Sequence, residues 1–88
     1  MKIIKIGAIW CPGCLIMRPR WKKIEEEFNI ETNDYDYDID EDIVKKFNVG
    51  KKLPVVIILD KNDDEVERVV GEISSNKLRD LILKYIEK

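Results

Sequence analysis

The sequence contains no histidine and only two cysteines among its 88 residues. Structural zinc takes four ligands, mostly cysteine and histidine, so a zinc site here would need ligands from a second chain. No apolar run reaches the ~18 residues of a membrane-spanning helix. The sequence also has no block of Lys and Arg, and its net charge is −2, so no attraction to nucleic acid is expected.

The composition is that of one small globular domain. Apolar residues make up 44% and charged residues 39% of the chain, which argues against disorder. We expect a single domain over residues 1–88, a monomer with a small core. Lys5 interrupts the N-terminal apolar run, and the cysteines follow that run at once, so signal-peptide cleavage would destroy their motif. We therefore predict a cytoplasmic protein without a signal peptide. In that compartment, closely spaced cysteines are more often catalytic or metal-binding than structural.

Both cysteines lie in the segment Trp10-Cys11-Pro12-Gly13-Cys14, between an apolar run and a helical pattern. First-turn N–H groups and the helix dipole favour negative charge, so a thiolate at a helix start is stabilised. We predict Cys11 at the N-cap and Cys14 at the third helical position, on one face and close enough to join. Pro12 fits the first helical position. Gly13 has no side chain, so it should leave the surface beside the two sulfurs unobstructed.

Hydrophobic periodicity predicts the element order βαβαββα. The elements are a buried strand over 2–9 that includes Ile9, a helix with the apolar stripe Met17, Trp21, Ile24 and Phe28, an alternating strand over 30–39, a short helix over about 41–48 capped by Asp40 and ended by Gly50, a buried strand over 55–59, a return strand over 65–70, and a helix capped by Ser74 or Ser75. The first two strands should be parallel and the last two a hairpin. The fold class is therefore α/β, a four-stranded mixed sheet with helices on both faces.

The cysteine segment resembles the redox motif of the thioredoxin superfamily, in which Cys-x-x-Cys follows a strand and often a Trp. Three further positions fit this family: Pro19 within the first helix, Pro54 at the start of the third strand, and Gly71 after the fourth. The order βαβαββα is similar to the minimal thioredoxin-like fold. The resemblance therefore covers nearly the whole chain.

The resemblance implies a thiol–disulfide oxidoreductase that reduces protein disulfides by dithiol exchange and serves electron transport and cell redox homeostasis. Cys11, expected to be the more exposed sulfur, would attack the substrate, and Cys14 would resolve the mixed disulfide. A reductase or a small-thiol electron donor would restore the dithiol, with no cofactor and no metal. The implied substrate groove, with a cis Leu53–Pro54 bond that frees the Leu53 backbone to pair with an extended substrate, consists of Trp10, Pro12, Gly13, Leu53, Pro54 and Gly71.

The chain departs from the family pattern at two places. Thioredoxins usually bury an Asp where this chain has Lys5, which either extends to the sheet edge or stabilises a nearby thiolate. Thioredoxins also carry Gly-Pro between the cysteines, whereas this chain has Pro-Gly. Glutaredoxins share the leading proline between the cysteines. The positions that form their glutathione pocket read Lys52-Leu53-Pro54 and Val70-Gly71-Glu72 in this chain, and these residues give little support to a specificity for glutathione.

Alternative functions remain open at this stage. A Cu(I) chaperone also places Cys-x-x-Cys before a helix, but its element order is βαββαβ and its cysteines follow a Met-Thr loop. A glutathione-linked glutaredoxin is the second alternative, and a redox-inactive adaptor, which would not need both cysteines, is the third. Trp10 is interpreted either as a lid over the redox site or as simple packing.

Overall fold

The structure is a computed structural model that describes residues 1–86. Its elements are β1 (Lys2–Gly7), α1 (Pro12–Phe28), β2 (Asn33–Asp36), α2 (Glu41–Lys46), β3 (Val55–Leu59), β4 (Glu65–Val70) and α3 (Ser75–Ile86). The strands form a four-stranded sheet in the order β2-β1-β3-β4. β1 and β2 are parallel, and the other neighbouring pairs are antiparallel. The predicted mixed sheet and the order βαβαββα are confirmed.

The core has one apolar cluster on each face of the sheet. All five residues of β3 are buried, because a continuous β-branched strand in the centre of a sheet contacts both layers. On one face, side chains of α1 and α3 pack against β1 and β3; the buried members are Ile3, Met17, Trp21, Ile24, Val56, Leu78 and Ile82. On the other face, residues of α2 and the loop after it pack against Ile4, Ile6, Val55, Ile57 and Leu59. Among residues 1–86, no helix is long and apolar enough to cross a membrane.

The alternation of β1 determines what faces α1. Ile3 belongs to the cluster on the α1 side, whereas Ile4 and Ile6 belong to the opposite cluster. Since successive side chains of a strand point to opposite faces, Lys5 and Gly7 also face α1. The strand therefore presents no side chain at its last α1-facing position, which lies beside the start of the helix.

The first strand is shorter than predicted. β1 ends at Gly7 instead of residue 9, and Ile9 is 90% exposed, so its predicted burial is wrong. The chain turns immediately after the strand, where the Cys11 N–H donates to the Ala8 carbonyl at 3.2 Å. This turn directs Ile9 to the solvent and brings Cys11 to the start of α1.

The second strand also ends early. The alternating pattern predicts a strand over 30–39, but β2 covers only Asn33–Asp36. The Asp36 carboxylate accepts the N–H groups of Asp38 and Ile39, which turns the chain away from the sheet. Ile39 is consequently 80% exposed.

α2 begins at Glu41 after Asp40, as predicted, but its capping bond and its C-terminal end differ from the prediction. The bounds of β3 and β4 and the cap of α3 agree with it. The Asp40 carboxylate accepts the N–H of Asp36 and makes no cap bond to α2. α2 ends at Lys46, and Asn48, not Gly50, adopts the left-handed conformation with φ 52°. β3 and β4 match their predicted ranges. Ser74 accepts the Lys77 N–H at 3.3 Å and so caps α3.

Candidate active site

The two cysteines occupy the start of α1 in the predicted positions. Cys11 is the N-cap residue, with φ −94° and ψ 110°, and Pro12 is the first helical residue. The Cys14 backbone N–H donates to Cys11 Sγ at 3.2 Å. One of the otherwise unpaired N–H groups of the first helical turn therefore points at the Cys11 sulfur.

The exposure of the two cysteines is the reverse of the expectation. Cys11 is only 4% exposed, whereas Cys14 is partly exposed, so the prediction that Cys11 is the more accessible residue is wrong. Cys11 is folded into the turn that begins at Ala8. Cys14 instead faces Gly7, where a Cβ atom would lie 3.0 Å from the Cys14 sulfur. The missing side chain at Gly7 therefore lets the Cys14 side chain pack closely against β1.

The environment of Cys14 favours the protonated thiol. Burial and the hydrogen bond with Cys11 raise the pKa of Cys14 to about 11, against an ordinary value of 9.0. A hydrogen bond with the Ala8 backbone and the charge of Arg18 oppose this shift without cancelling it. Cys14 therefore keeps its proton at neutral pH, and its sulfur is the less favourable of the two for a negative charge.

Residues that are distant in the sequence meet beside the cysteines. The Leu53–Pro54 peptide bond is cis, and the Gly71 N–H donates to the Pro54 carbonyl at 2.7 Å. A Cβ atom at Gly13 would lie 3.2 Å from Pro54 Cδ, so helix and loop approach closely here. Gly71 has a φ of 91°, which a residue with a side chain rarely adopts. Leu53 packs against the cluster on the α2 side.

Trp10 lies beside the cysteines and is held by the loop after β2. Its side chain is 54% exposed, and its indole N–H donates to the Asp38 carboxylate at 2.7 Å. The ring of Tyr37 meets the indole edge-on, with 6.2 Å between centroids and 86° between planes. Sequence reasoning missed Asp38, because the alternating pattern assigned it to the wet face of a strand.

Lys5 is paired. Its side chain is 15% exposed, and its ammonium group lies 3.2 Å from a carboxylate oxygen of Glu25 and 3.2 Å from one of Asp34. It also lies 4.9 Å from the ring centroid of Trp21, a cation–π distance. Asp34 belongs to the edge strand β2, so the ammonium group does extend toward the sheet edge, as one interpretation predicted. Glu25 was not singled out from the sequence, where it looks like one more solvated helix residue.

The described residues offer few metal ligands. Within residues 1–86, no group of three or more His, Cys, Asp and Glu side chains is arranged to hold a metal ion. A soft metal such as Cu(I) would have the two thiolates of Cys11 and Cys14 alone.

Comparison with known proteins places this site in a family. The family model for thioredoxin matches residues 1–84. The chain belongs to the thioredoxin family. Family membership and the two neighbouring cysteines together support a thiol–disulfide oxidoreductase.

One relative of this thioredoxin-family chain is a plant protein. The chain is 31% identical over 91 residues to Thioredoxin-like 3-1, chloroplastic, of Arabidopsis thaliana, a match that covers 96% of this chain and 42% of the relative. The chain thus spans less than half of that relative's length.

Two solved structures have the same fold and similar sequences. Thioredoxin 1 of Thermosipho africanus TCF52B has 29% identity and a TM-score of 0.84, with 99% of this chain and 96% of that chain covered. Thioredoxin-2, a component of the malaria parasite's protein secretion machinery, has 32% identity and a TM-score of 0.84, with 94% and 81% covered.

Proposed function

We propose that this thioredoxin-family chain reduces protein disulfides by dithiol exchange through Cys11 and Cys14. The observation that supports this most directly is the 3.2 Å contact from the Cys14 N–H to the Cys11 sulfur at the start of α1. A first-turn N–H and the positive end of the helix dipole lie at the Cys11 sulfur, while the pKa of about 11 keeps Cys14 protonated. Cys11 is therefore the attacking sulfur.

The exchange moves two electrons in two steps. The Cys11 thiolate attacks one sulfur of the substrate disulfide, so that a mixed disulfide forms and the other substrate sulfur leaves as a thiolate. Cys14 then loses its proton and attacks the Cys11 sulfur. A Cys11–Cys14 disulfide forms, and the second substrate thiolate leaves. A reductase or a small thiol returns two electrons and restores the dithiol.

The groove beside the cysteines is the proposed binding site for the substrate chain. Pro54 contacts both glycines there: a Cβ atom at Gly13 would lie 3.2 Å from Pro54 Cδ, and the Gly71 N–H donates to the Pro54 carbonyl. Pro12 and Trp10 flank Cys11, which is only 4% exposed, so a protein substrate must displace part of the surface beside it. Trp10 is the large, half-exposed side chain closest in sequence to that sulfur. The cytoplasmic location and the monomeric state stay predictions.

The alternatives have less support than dithiol exchange. The Cu(I) chaperone domains have the order βαββαβ, whereas this chain has βαβαββα. For a glutathione-linked glutaredoxin, the position between Lys52 and Pro54 holds Leu53, which packs toward the core. An adaptor without redox activity would not need both cysteines.

A trapping experiment tests the proposal. The wild-type protein should reduce insulin disulfides with dithiothreitol as the reductant. The Cys14→Ser variant should form a stable mixed disulfide with insulin, because the resolving thiol is missing, and Cys11→Ser should form none and lose activity. Failure of the wild-type protein to reduce insulin would contradict the proposal, and so would trapping by Cys11→Ser instead of Cys14→Ser.

A further inference from the structure

The side chain of Glu72 lies against the start of α1, at the glycine that separates Pro12 from Cys14. A Cβ atom at Gly13 would lie 3.3 Å from Glu72 Cγ and 3.4 Å from Glu72 Oε1. Glu72 belongs to the loop between β4 and α3, and it approaches the one residue of the cysteine segment that has no side chain. A carboxylate is therefore part of the surface on which a substrate of Cys11 must dock.

The loop that carries Glu72 is held on both sides of this residue. On one side, the Gly71 N–H donates to the Pro54 carbonyl at 2.7 Å. On the other side, the Arg20 guanidinium donates to the Ile73 carbonyl at 2.8 Å. Because both neighbours are bonded to other elements, the backbone places the Glu72 side chain beside α1.

The charge of Glu72 is not neutralised within the fold. Its side chain is exposed, and no ion pair within residues 1–86 includes it. Lys52 approaches the same loop, where its Cε would lie 3.9 Å from a Cβ atom at Gly71, but it makes no ion pair with Glu72. Asp38, which accepts the Trp10 indole N–H, is likewise in no ion pair of the described residues. Two carboxylates thus lie against the cysteine segment, and both offer a ligand negative charge.

We propose that Glu72 selects protein disulfides that are flanked by Lys or Arg, because it binds the basic side chain while Cys11 attacks the neighbouring sulfur. The inference rests on the dithiol exchange proposed above and adds the class of substrate. The bonds that form and break are those of that exchange, and Glu72 takes no part in them. Glu72 is a specificity residue of the binding surface.

The position of Glu72 fits this role. Gly13 is two residues after Cys11, so a basic side chain that reaches Glu72 belongs to a residue close to the attacked substrate cysteine. Lys and Arg have long side chains that can lie on an apolar surface while the charged end reaches a carboxylate. Since the pair is exposed, its contribution is that of a surface ion pair. The effect is therefore a preference among substrates, and an acidic flank is disfavoured for the same reason.

Matched peptide substrates measure the preference. Two synthetic peptides each contain one intramolecular disulfide and differ only in the residues beside the cysteines, which are Lys in one peptide and Glu in the other. The rate at which each peptide oxidises the reduced protein is measured, and the Lys-to-Glu ratio of the two rates is compared between variants. This comparison is needed because flanking charges also change how well the peptide thiolate leaves. We expect Glu72→Gln to lower the ratio about two- to fivefold, the effect of one exposed charge pair.

Charge reversal and a matched control separate charge from packing. Glu72→Lys should lower the ratio further than Glu72→Gln, because it repels the Lys peptide and attracts the Glu peptide. Asp64→Asn removes one exposed carboxylate at the opposite end of β4 and should leave the ratio unchanged. Addition of about 0.5 M NaCl should bring the ratio of the wild-type protein close to that of Glu72→Gln, since salt screens exposed charges.

The same ratio in the wild-type, Glu72→Gln and Glu72→Lys proteins would overturn the proposal, and so would an equal decrease in Asp64→Asn. These outcomes differ from a failure of the proposed function. A protein that reduces insulin but whose ratio does not depend on Glu72 refutes only the class of substrate. A protein that does not reduce insulin refutes the exchange on which the inference rests.

Discussion

The indole N–H of Trp10 is bonded to the Asp38 carboxylate across 2.7 Å. This contact joins the residue before Cys11 to the loop after β2, where Tyr37 supports the same indole edge-on. Trp10 is half exposed, and Cys11 beside it is almost buried. The position of the loop after β2 should therefore affect how easily a substrate reaches Cys11.

Breaking this contact should make Cys11 more accessible. We expect Asp38→Ala to raise the rate of iodoacetamide reaction at Cys11 about two- to tenfold, because an exposed hydrogen bond of roughly 0.5–1.5 kcal/mol no longer holds the indole. Asp42→Ala removes a nearby exposed carboxylate and should leave the rate unchanged. A rate unaffected by Asp38→Ala would show that Trp10 does not limit access.

The Lys5–Glu25 pair should contribute to stability more than a surface pair does. Lys5→Ala leaves Glu25 without its charged partner at a 30% exposed position, although Thr32 still donates to it. We expect a loss of about 1–3 kcal/mol in the free energy of unfolding, measured with urea. Lys2→Ala on the same strand breaks the exposed pair with Asp63 and should cost less than about 1 kcal/mol. Equal losses would mean that the partial burial of Lys5 has no energetic effect.

Gly13 should matter for substrate binding. Gly13→Ala would put a Cβ atom 3.2 Å from Pro54 Cδ and 3.3 Å from Glu72 Cγ, which narrows the proposed groove. We expect the KM for insulin to rise by up to about tenfold, equivalent to about 1.4 kcal/mol, with a smaller change in kcat. The matched control is Gly50→Ala, whose Cβ atom would meet nothing within 4 Å. Unchanged KM in Gly13→Ala would place the substrate elsewhere.

The fold was predictable because its patterns are local. The β-branched run of β3 is buried along its whole length, and the Met17–Trp21–Ile24 stripe of α1 packs on the sheet. Cys11 and Pro12 occupy the helix positions expected for an N-cap and a first helical residue. Each of these features depends on neighbours a few residues away, which the sequence displays directly.

The features that were not predictable depend on distant groups or on competing local bonds. β2 is short because Asp36 bonds the backbone that follows it, and periodicity does not detect such a bond. The close packing of Cys14 against β1 depends on Gly7, which lies on another element and has no side chain. Likewise, Trp10 and Asp38 are paired across 28 positions of the sequence. The site could be located from its cysteines, but the side chains that surround each cysteine could not.

The stability of the reduced protein should depend on pH through Cys14. Its pKa is about 11 in the folded state against an ordinary 9.0, so the folded state binds this proton more tightly than the unfolded state does. The contribution is present below about pH 9 and is lost as the pH rises toward about 11. Urea unfolding should show the stability advantage of the wild-type protein over Cys14→Ser shrinking across this range. A constant difference would contradict the raised pKa.

Selective alkylation tests the central assignment, that Cys11 is the attacking sulfur and Cys14 the protonated partner. The reduced protein is treated with a limiting amount of iodoacetamide at about pH 7.5, where only a thiolate reacts appreciably. Peptide mapping then gives the extent of modification at each cysteine. The account predicts modification of Cys11 with Cys14 almost untouched, in spite of the greater exposure of Cys14. Preferential modification of Cys14 would contradict it.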